Sequence, residues 1–124
     1  MNILLTFTFN YSLKTWEEAG ILERELNYYK KLSEKHSIKF IFLTYGDKSE
    51  KKYLNDYANI EVIPIYDFIK PVNNKYLLFL KTFFIPFLIR KKVSNISIIK
   101  TNQLSGSWLA ILLKLQTNKP LFVR

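Results

Sequence analysis

A chain of 124 residues with 48% hydrophobic and 16% aromatic side chains can build one folded core, which excludes an intrinsically disordered segment. The chain has no cysteine, which excludes a disulfide framework, a thiolate metal site and a cysteine nucleophile. Its formal net charge of +9 excludes a neutral surface and predicts an anionic partner.

The excess positive charge lies entirely in the second half of the chain. Residues 1–62 carry nine Lys or Arg and nine Asp or Glu, whereas residues 63–124 carry ten basic residues and only Asp67. This asymmetry is compatible with four kinds of partner: lipid headgroups, diphosphate-linked substrates, nucleic acid or an acidic companion domain.

The chain opens with an apolar run from Asn2 to Phe9, which is typical of a strand covered on both faces in a parallel sheet. Thr15 and Glu18 have the spacing of a capping box and predict the start of a helix. Gly20 lies one turn inside this predicted helix at a cost of about 1 kcal/mol relative to alanine, so we expect another group to approach its backbone. The face of the helix toward the sheet is predicted to carry Leu22, Leu26, Tyr29 and Ser33.

Strands and helices alternate along the rest of the chain. Pro64 predicts that the third strand lies at a sheet edge, because proline cannot donate to a ladder. Predicted strands are Ile38 to Thr44, Ile60 to Tyr66, Ile96 to Lys100 and Leu121 to Val123; predicted helices are Lys48 to Asn59 (with Tyr53, Leu54 and Tyr57 inward), Lys75 to Lys92 and Gly106 to Leu115.

This alternation predicts an α/β fold: a Rossmann-like three-layer sandwich with a parallel sheet of about five strands in the order 3-2-1-4-5, formed by residues 1–124 as a single domain. Ligands of such sheets bind beyond the carboxyl ends of the strands, where the strand order reverses. We therefore expect residues 10–20 and residues 102–106 to lie at the same edge of the sheet. The whole proposal for function depends on this expectation.

Three segments resemble a family when taken together. They are Thr15, Trp16, Gly20, Arg24 and Glu25 behind the first strand, Ile99 to Gln103 before Gly106 to Trp108, and the final Lys119 to Arg124. In this order they resemble the amino-terminal, acceptor-side domain of family 4-like retaining glycosyltransferases, which have two Rossmann-like domains in the GT-B architecture. The resemblance implies transfer of a sugar from a nucleotide-sugar donor, and it implies a carboxy-terminal donor-binding domain that this chain lacks.

The resemblance assigns Gly20 to the approach of the donor diphosphate, since a glycine there lets backbone amides come close to phosphate. Tight packing of the helix on the sheet is the alternative explanation. Glu17 and Glu18 oppose the phosphate role, and the chain lacks the spacing of a nucleotide-binding glycine loop. We therefore do not expect the chain to hold a nucleotide by itself.

Acceptor contacts are predicted for Trp16, Asn102, Gln103 and Arg124. An indole can stack on a sugar face, an amide offers both a donor and an acceptor, and Arg124 ends the last strand near the same edge. The structural alternatives are a Trp16 that closes the helix entrance and an Asn102 that caps the following helix. Site support is predicted for Thr15, Arg24 and Glu25, the last two through an ion pair that fixes the loop, with a solvated helix face as the alternative for these two.

The sequence offers few catalytic groups. His36 stands in a polar turn on the wrong side of the sheet from the expected crevice, and no nucleophilic triad or metal-ligand spacing can be assembled. No catalytic residue, no metal and no cofactor are therefore predicted, and the nucleotide-sugar enters as a substrate.

The segment from Lys75 to Lys92 is apolar on nearly every side, but it is shorter than the roughly 20 residues that span a bilayer. It is predicted either as a crossover helix between the sheet and the missing domain, or as a helix in the membrane interface with Arg90, Lys91 and Lys92 against anionic lipid. The first strand leaves no room for an export leader, so the expected location is the cytoplasm, with the inner face of the membrane as an option.

The leading hypothesis is therefore the acceptor-side domain of a hexosyltransferase-like enzyme that makes polysaccharide or glycolipid and is inactive without its donor domain. The alternative is a non-catalytic Rossmann-like adaptor or binding domain attached to a membrane or a partner protein. A flavodoxin-like receiver is weaker, because paired acids after the first strand are missing. Nucleic acid is not expected, because the basic residues do not alternate with an exposed aromatic platform.

Overall fold

A computed structural model describes residues 1–70, 74–101 and 107–122. The strands are β1 (Asn2–Thr6), β2 (Lys39–Thr44), β3 (Ile60–Pro64), β4 (Ile98–Thr101) and β5 (Leu121–Phe122). The α-helices are α1 (Leu13–Glu18), α2 (Leu22–His36), α3 (Lys75–Thr82), α4 (Ile85–Leu88) and α5 (Ser107–Thr117), and Lys48–Leu54 and Ile65–Asp67 form 3-10 helices.

All five strands run parallel in the order β3-β2-β1-β4-β5, which confirms the predicted α/β Rossmann-like arrangement. Central β1 pairs with β2 from Asn2 opposite Lys39 to Thr6 opposite Leu43. On its other side it pairs with β4 from Ile3 opposite Ile98 to Thr6 opposite Thr101. The strand order therefore reverses between β1 and β4.

The alternating side chains of β1 enter two separate cores, one on each face of the sheet. Leu4 joins a core that α3, α4 and α5 cover with Leu78, Ile85, Leu109 and other buried side chains. Leu5 joins the opposite core, which α1 and α2 cover with Trp16, Leu26 and Tyr29. A strand in this position needs apolar residues on both sides, which is why its sequence shows no alternation of polar and apolar residues.

The edge position predicted for β3 from Pro64 is also confirmed, since β3 pairs only with β2 among the described strands. The predicted helix after β2 is a 3-10 helix that ends at Leu54, and Tyr53, Leu54 and Tyr57 pack against the core as expected. The fourth strand begins at Ile98, two residues later than predicted.

The prediction of one continuous helix after β1 is wrong, because this segment starts earlier and forms two helices, α1 and α2. The helix begins three residues earlier, where Ser12 is the N-cap and forms the capping box with Thr15 instead of Thr15 with Glu18. It ends at Glu18 in a Schellman motif: the amide of Gly20 donates to the carbonyl of Glu17 and that of Ile21 to the carbonyl of Trp16, both at 3.0 Å. The predicted sheet-facing stripe is confirmed on the separate helix α2, where Leu26, Tyr29 and Ser33 are buried and Leu22 is half-buried.

The single helix predicted from Lys75 to Lys92 is likewise two helices. Pro86 has no amide hydrogen to donate to the carbonyl of Thr82, so α3 ends there and α4 starts again at Ile85 after a turn at Phe83 and Phe84. The break lets the two short helices follow the sheet surface and places Ile85 and Ile89 in the core.

Gly20 provides a test of this local structure. It has a φ of +74°, and no described atom lies within 4 Å of the position that a Cβ would take. We expect Gly20→Ala to lower the free energy of unfolding by about 1 kcal/mol, because only the left-handed backbone opposes the side chain. Urea denaturation followed by circular dichroism measures the loss.

Gly20→Asn is the matched control, since asparagine tolerates this backbone region better than alanine and should lose less stability. An alanine variant as stable as the wild type would contradict the Schellman assignment.

Candidate functional site at the carboxyl edge of the sheet

The candidate site is the edge of the sheet at which β1 and β4 end side by side. Thr6 stands opposite Thr101, and the Thr6 hydroxyl donates to the carbonyl of Lys100 at 3.4 Å. The chain therefore leaves the sheet at the same edge after both strands, as a topological switch point requires. The prediction that the two connections start at the same edge is supported by the adjacent ends of β1 and β4. Residues 102–106 lie outside the described residues.

The connection after β1 is held rigidly against the connection after β2. The amide of Phe7 donates to the carbonyl of Leu43 and that of Tyr45 donates to the carbonyl of Tyr11, at 3.0 and 2.9 Å. Asn10 turns the chain with a φ of 65°, a backbone conformation that asparagine tolerates. This side of the candidate site is thus an ordered loop with both of its ends fixed.

Aromatic rings support that loop from the two sides of the sheet. Phe7 stacks on Trp16 with ring centroids 4.5 Å apart, in the core under α1 and α2. Phe9 packs against Tyr45 and Trp108 at 5.3 and 5.1 Å, on the opposite side. The Trp108 indole donates to the Thr82 hydroxyl at 3.0 Å, which connects α5 to α3 beneath the site.

Trp16 lies in the core, not at the crevice mouth. Its exposed fraction is 3%, and its ring contacts both Phe7 and Phe42. In this position the indole supports the loop from beneath, as the structural alternative foresaw. Contact of Trp16 with an acceptor stays a prediction that would require the indole to leave the core.

Glu50 is the residue of this site that sequence reasoning missed. Its carboxylate is 2% exposed and accepts hydrogen bonds from the amides of Leu13 at 2.7 Å and Lys14 at 3.2 Å. These are the first amides of α1, so Glu50 neutralises the positive end of that helix from the neighbouring connection. In the sequence it is one acid within a polar stretch, and nothing there distinguishes it from its exposed neighbours.

The space for Glu50 depends on Gly46. A Cβ at Gly46 would lie 2.6 Å from the Cγ and Cδ of Glu50, so only glycine leaves room for the inward carboxylate. Burial raises the pKa of Glu50 above its ordinary value, and the amide hydrogen bonds from Leu13 and Lys14 oppose this effect. The connection after β2 thereby holds the start of α1 in place.

Tyr45 is a second buried ionisable residue at this edge. Its ring is 4% exposed, and burial, together with the nearby Tyr66, raises the pKa of its hydroxyl well above the ordinary value. The hydroxyl has no hydrogen-bond partner among the residues that the structure describes.

Neither α1 nor α2 begins with a ready phosphate site. At α1 the first amides are occupied by Glu50. At α2 the first turn carries Glu23 and Glu25, whose charge repels an anion. Gly20 lies exposed between these two helices in a conformation that the Schellman motif explains, and its approach to a donor diphosphate stays a prediction.

The remaining predicted site residues fall into three groups: those predicted to support the site, those predicted to contact an acceptor, and those predicted to contact a membrane. Thr15 shares the capping box with Ser12, and Arg24 pairs with its neighbour Glu25 at 3.4 Å on an exposed face. Asn102, Gln103 and Arg124 lie outside the described residues.

The third group comprises the basic residues predicted to contact a membrane. Arg90, Lys91 and Lys92 are all exposed. The Lys92 ammonium lies 5.9 Å from the centre of the Phe68 ring, and Lys92 borders a groove beside edge strand β3. Contact of the three residues with a membrane stays a prediction.

Within residues 1–70, 74–101 and 107–122, no group of three or more His, Cys, Asp or Glu side chains is arranged to hold a metal ion. In the same ranges no helix has both the length and the apolar character to cross a membrane.

The chain is similar in structure to a glycosyltransferase from Rickettsia africae ESF-5, with a TM-score of 0.54 and 20% sequence identity. The match covers 97% of this chain but only 28% of that enzyme, so the chain spans little more than a quarter of its length. The likeness shows that the chain has a glycosyltransferase-like, Rossmann-like α/β fold. No family model matches the sequence, and no curated protein matches it either.

The contact between Gly46 and Glu50 predicts a non-additive pair of substitutions. Gly46→Ala should lower the free energy of unfolding by about 2 kcal/mol, because the new methyl group displaces the carboxylate from the two amides. In a Glu50→Ala background the same change should cost much less, since the obstructing side chain is gone. Urea denaturation of the four proteins measures this coupling, and simple additivity would contradict it.

The raised pKa of Glu50 predicts a pH dependence of stability. The contribution is complete below the ordinary value of 4.5 and is lost as the pH rises through the higher pKa of the folded state. The unfolding free energy of the wild type, measured relative to that of Glu50→Gln, should therefore fall over this range. Glu34→Gln, which makes the same substitution at an exposed position on α2, is the matched control for the change of side chain. A constant difference for Glu50→Gln would refute the prediction.

Proposed function

We propose that this chain is the acceptor-side domain of a two-domain, GT-B-type glycosyltransferase related to the retaining family 4 group. It binds a polysaccharide or lipid-linked acceptor and contributes to the transfer of a sugar from a nucleotide-sugar donor. A second, donor-binding domain completes the enzyme, either in a longer chain or in another polypeptide. The proposed location is the cytoplasm, at the inner face of the membrane.

One observation carries this proposal: β1 and β4 end side by side, with Thr6 opposite Thr101, in a sheet that superimposes on part of a glycosyltransferase. Crevices at such a reversal of strand order are where α/β sheets bind their ligands. The ordered connection after β1, fixed by Glu50 and by the amide of Tyr45, borders the proposed site.

The starts of α1 and α2 support an acceptor role over a donor role. Glu50 takes the first amides of α1, and Glu23 and Glu25 give the start of α2 a negative charge. A donor diphosphate would meet repulsion at both places, so the second domain is proposed to hold most of it, with Gly20 as the approach point on this side.

Acceptor contact is proposed for Asn102 and Gln103, which follow β4, and for Arg124, which follows β5. Amides and a guanidinium at this edge would bind hydroxyl and anionic groups of a glycan. Thr15, Arg24 and Glu25 are proposed to support the adjoining loop.

Nuclear magnetic resonance of the full ¹⁵N-labelled chain tests the proposal. Titration with maltose-, cellulose- and mannose-series oligosaccharides should shift the amide signals of Phe9, Tyr11 and Thr101 for at least one series. The variant Asn102→Ala/Gln103→Ala should bind the same oligosaccharide about tenfold more weakly or worse, since each lost hydrogen bond contributes about 1 kcal/mol.

Asn59→Ala/Asn95→Ala is the matched control, because both residues precede their strands and lie at the opposite edge of the sheet. Shifts confined to that opposite edge, or shifts at α1 and α2 with uridine diphosphate glucose and none with any oligosaccharide, would refute the acceptor role.

A non-catalytic adaptor is the second candidate, and the large exposed apolar side chains of α3, α4 and α5 favour it. An adaptor would bind a membrane or a partner protein through those helices without any response to sugars. The same titration separates the two functions.

A further inference from the structure

Exposed apolar side chains are concentrated on the helices that cover one face of the sheet. Phe87 on α4 and Leu115 on α5 are 73% and 74% exposed, and Phe84 beside them is 64% exposed. Further exposed large hydrophobic residues on or between these helices are Tyr76, Leu77, Phe79, Leu80, Phe83, Leu88 and Ile111. Apolar surface of this extent is rare on soluble monomers and marks a contact with a partner or a membrane.

An open apolar groove joins α4 to α5 within this surface. Its volume is about 320 Å³, and its lining is Phe83, Pro86, Phe87, Leu112, Leu115 and Gln116. The Gln116 amide donates to the carbonyl of Pro86 at 2.7 Å, which closes the floor of the groove between the two helices. We call the groove and the exposed side chains around it the apolar face.

Basic residues accompany the apolar face. Lys75, Arg90, Lys91 and Lys114 are exposed on or beside α3, α4 and α5. Asp67 is the one acidic residue between residue 63 and the end of the sequence, so no acid of that half other than Asp67 offsets these charges. Long basic side chains can extend along an apolar surface and place their charge at its border.

We propose that the apolar face docks on an anionic lipid bilayer, with Phe84, Phe87 and Leu115 in the interface and Arg90 and Lys91 against the headgroups. Apolar area and basic charge are the two signals that peripheral membrane binding requires together. The proposal stands whether the chain is a glycosyltransferase domain or an adaptor, because it uses none of the residues of the crevice.

Two features favour a bilayer over a folded protein partner. Phe87 and Leu115 border the open groove from α4 and from α5, and fluid hydrocarbon can surround such exposed side chains where a rigid surface would need a matching shape. The charge complement is also general: four cations, on α3, on α5 and in the turn after α4, suit a uniformly anionic surface. Lys92 is not assigned to this surface, because its ammonium lies over Phe68 beside β3.

Vesicle flotation of the full chain tests the proposal. The chain should float with vesicles of phosphatidylcholine mixed with phosphatidylglycerol, should not float with phosphatidylcholine alone, and should bind less as salt is added. Arg90→Glu/Lys91→Glu should weaken binding by about tenfold or more, since each basic residue near the surface contributes about 1 kcal/mol. Phe87→Ser/Leu115→Ser should weaken it comparably.

Lys31→Glu/Lys35→Glu is the matched charge control, because both residues are exposed on α2, across the sheet from the apolar face. This variant should retain most of the binding, and an equal loss would show that only the net charge matters and would overturn the proposal. Circular dichroism confirms that each variant is folded.

A labelling experiment reports on orientation directly. Because the sequence has no cysteine, the variants Phe87→Cys, Leu115→Cys and Lys35→Cys each carry a single thiol for an environment-sensitive nitrobenzoxadiazole label. Emission should shift to the blue on anionic vesicles at positions 87 and 115 but not at 35. Absence of vesicle binding, a shift only at 35, or a chain that self-associates through positions 87 and 115 without binding vesicles would each overturn the proposal.

Discussion

The pairing of β1 with β2 on one side and β4 on the other is the constraint on which the rest of the structure depends. It buries β1 on both faces, so that Leu4 and Leu5, one residue apart, enter two different cores. A shift of register by one residue would exchange the side chains of these two cores and disrupt the close packing of both. It also brings the ends of two strands that are far apart in sequence to one edge, Thr6 beside Thr101, and so creates the candidate site.

The edge itself is built by interactions between connections. Glu50, from the connection after β2, holds the first amides of α1, and Gly46 leaves the space for its side chain. Phe9, Tyr45 and Trp108 form a continuous aromatic layer that links this side of the candidate site to α5 and, through the hydrogen bond to Thr82, to α3. The shape of this edge therefore depends on a loop whose position is set by a buried carboxylate and by aromatic packing. Neither the Glu50 carboxylate nor the aromatic rings need contact a ligand to affect binding at this edge.

The two sides of the sheet differ in how completely they are covered. On the side of α1 and α2, large aromatic side chains such as Trp16 and Tyr29 are buried and charges balance. On the side of α3, α4 and α5, Pro86 divides the crossover segment into short helices, and side chains such as Phe87 and Leu115 remain exposed among basic residues. The fold thus separates a crevice at one edge from a surface suited to anionic lipid on one face, and the two can be tested independently.

The sequence by itself determined the fold class, the five strands and their order, because buried parallel strands have uninterrupted apolar runs and their crossovers follow one hand. It also determined the edge position of β3 from Pro64 and the inward stripe of α2. The sequence misplaced the cap of the first helix. Ser12 with Thr15 and Thr15 with Glu18 are both possible capping boxes, and only the path of the loop decides between them. The tertiary structure alone decided that Gly20 ends α1, that Trp16 is core and that Glu50 is buried. Each of these outcomes depends on contacts between segments separated along the chain or on the direction of the backbone, and local spacing records neither.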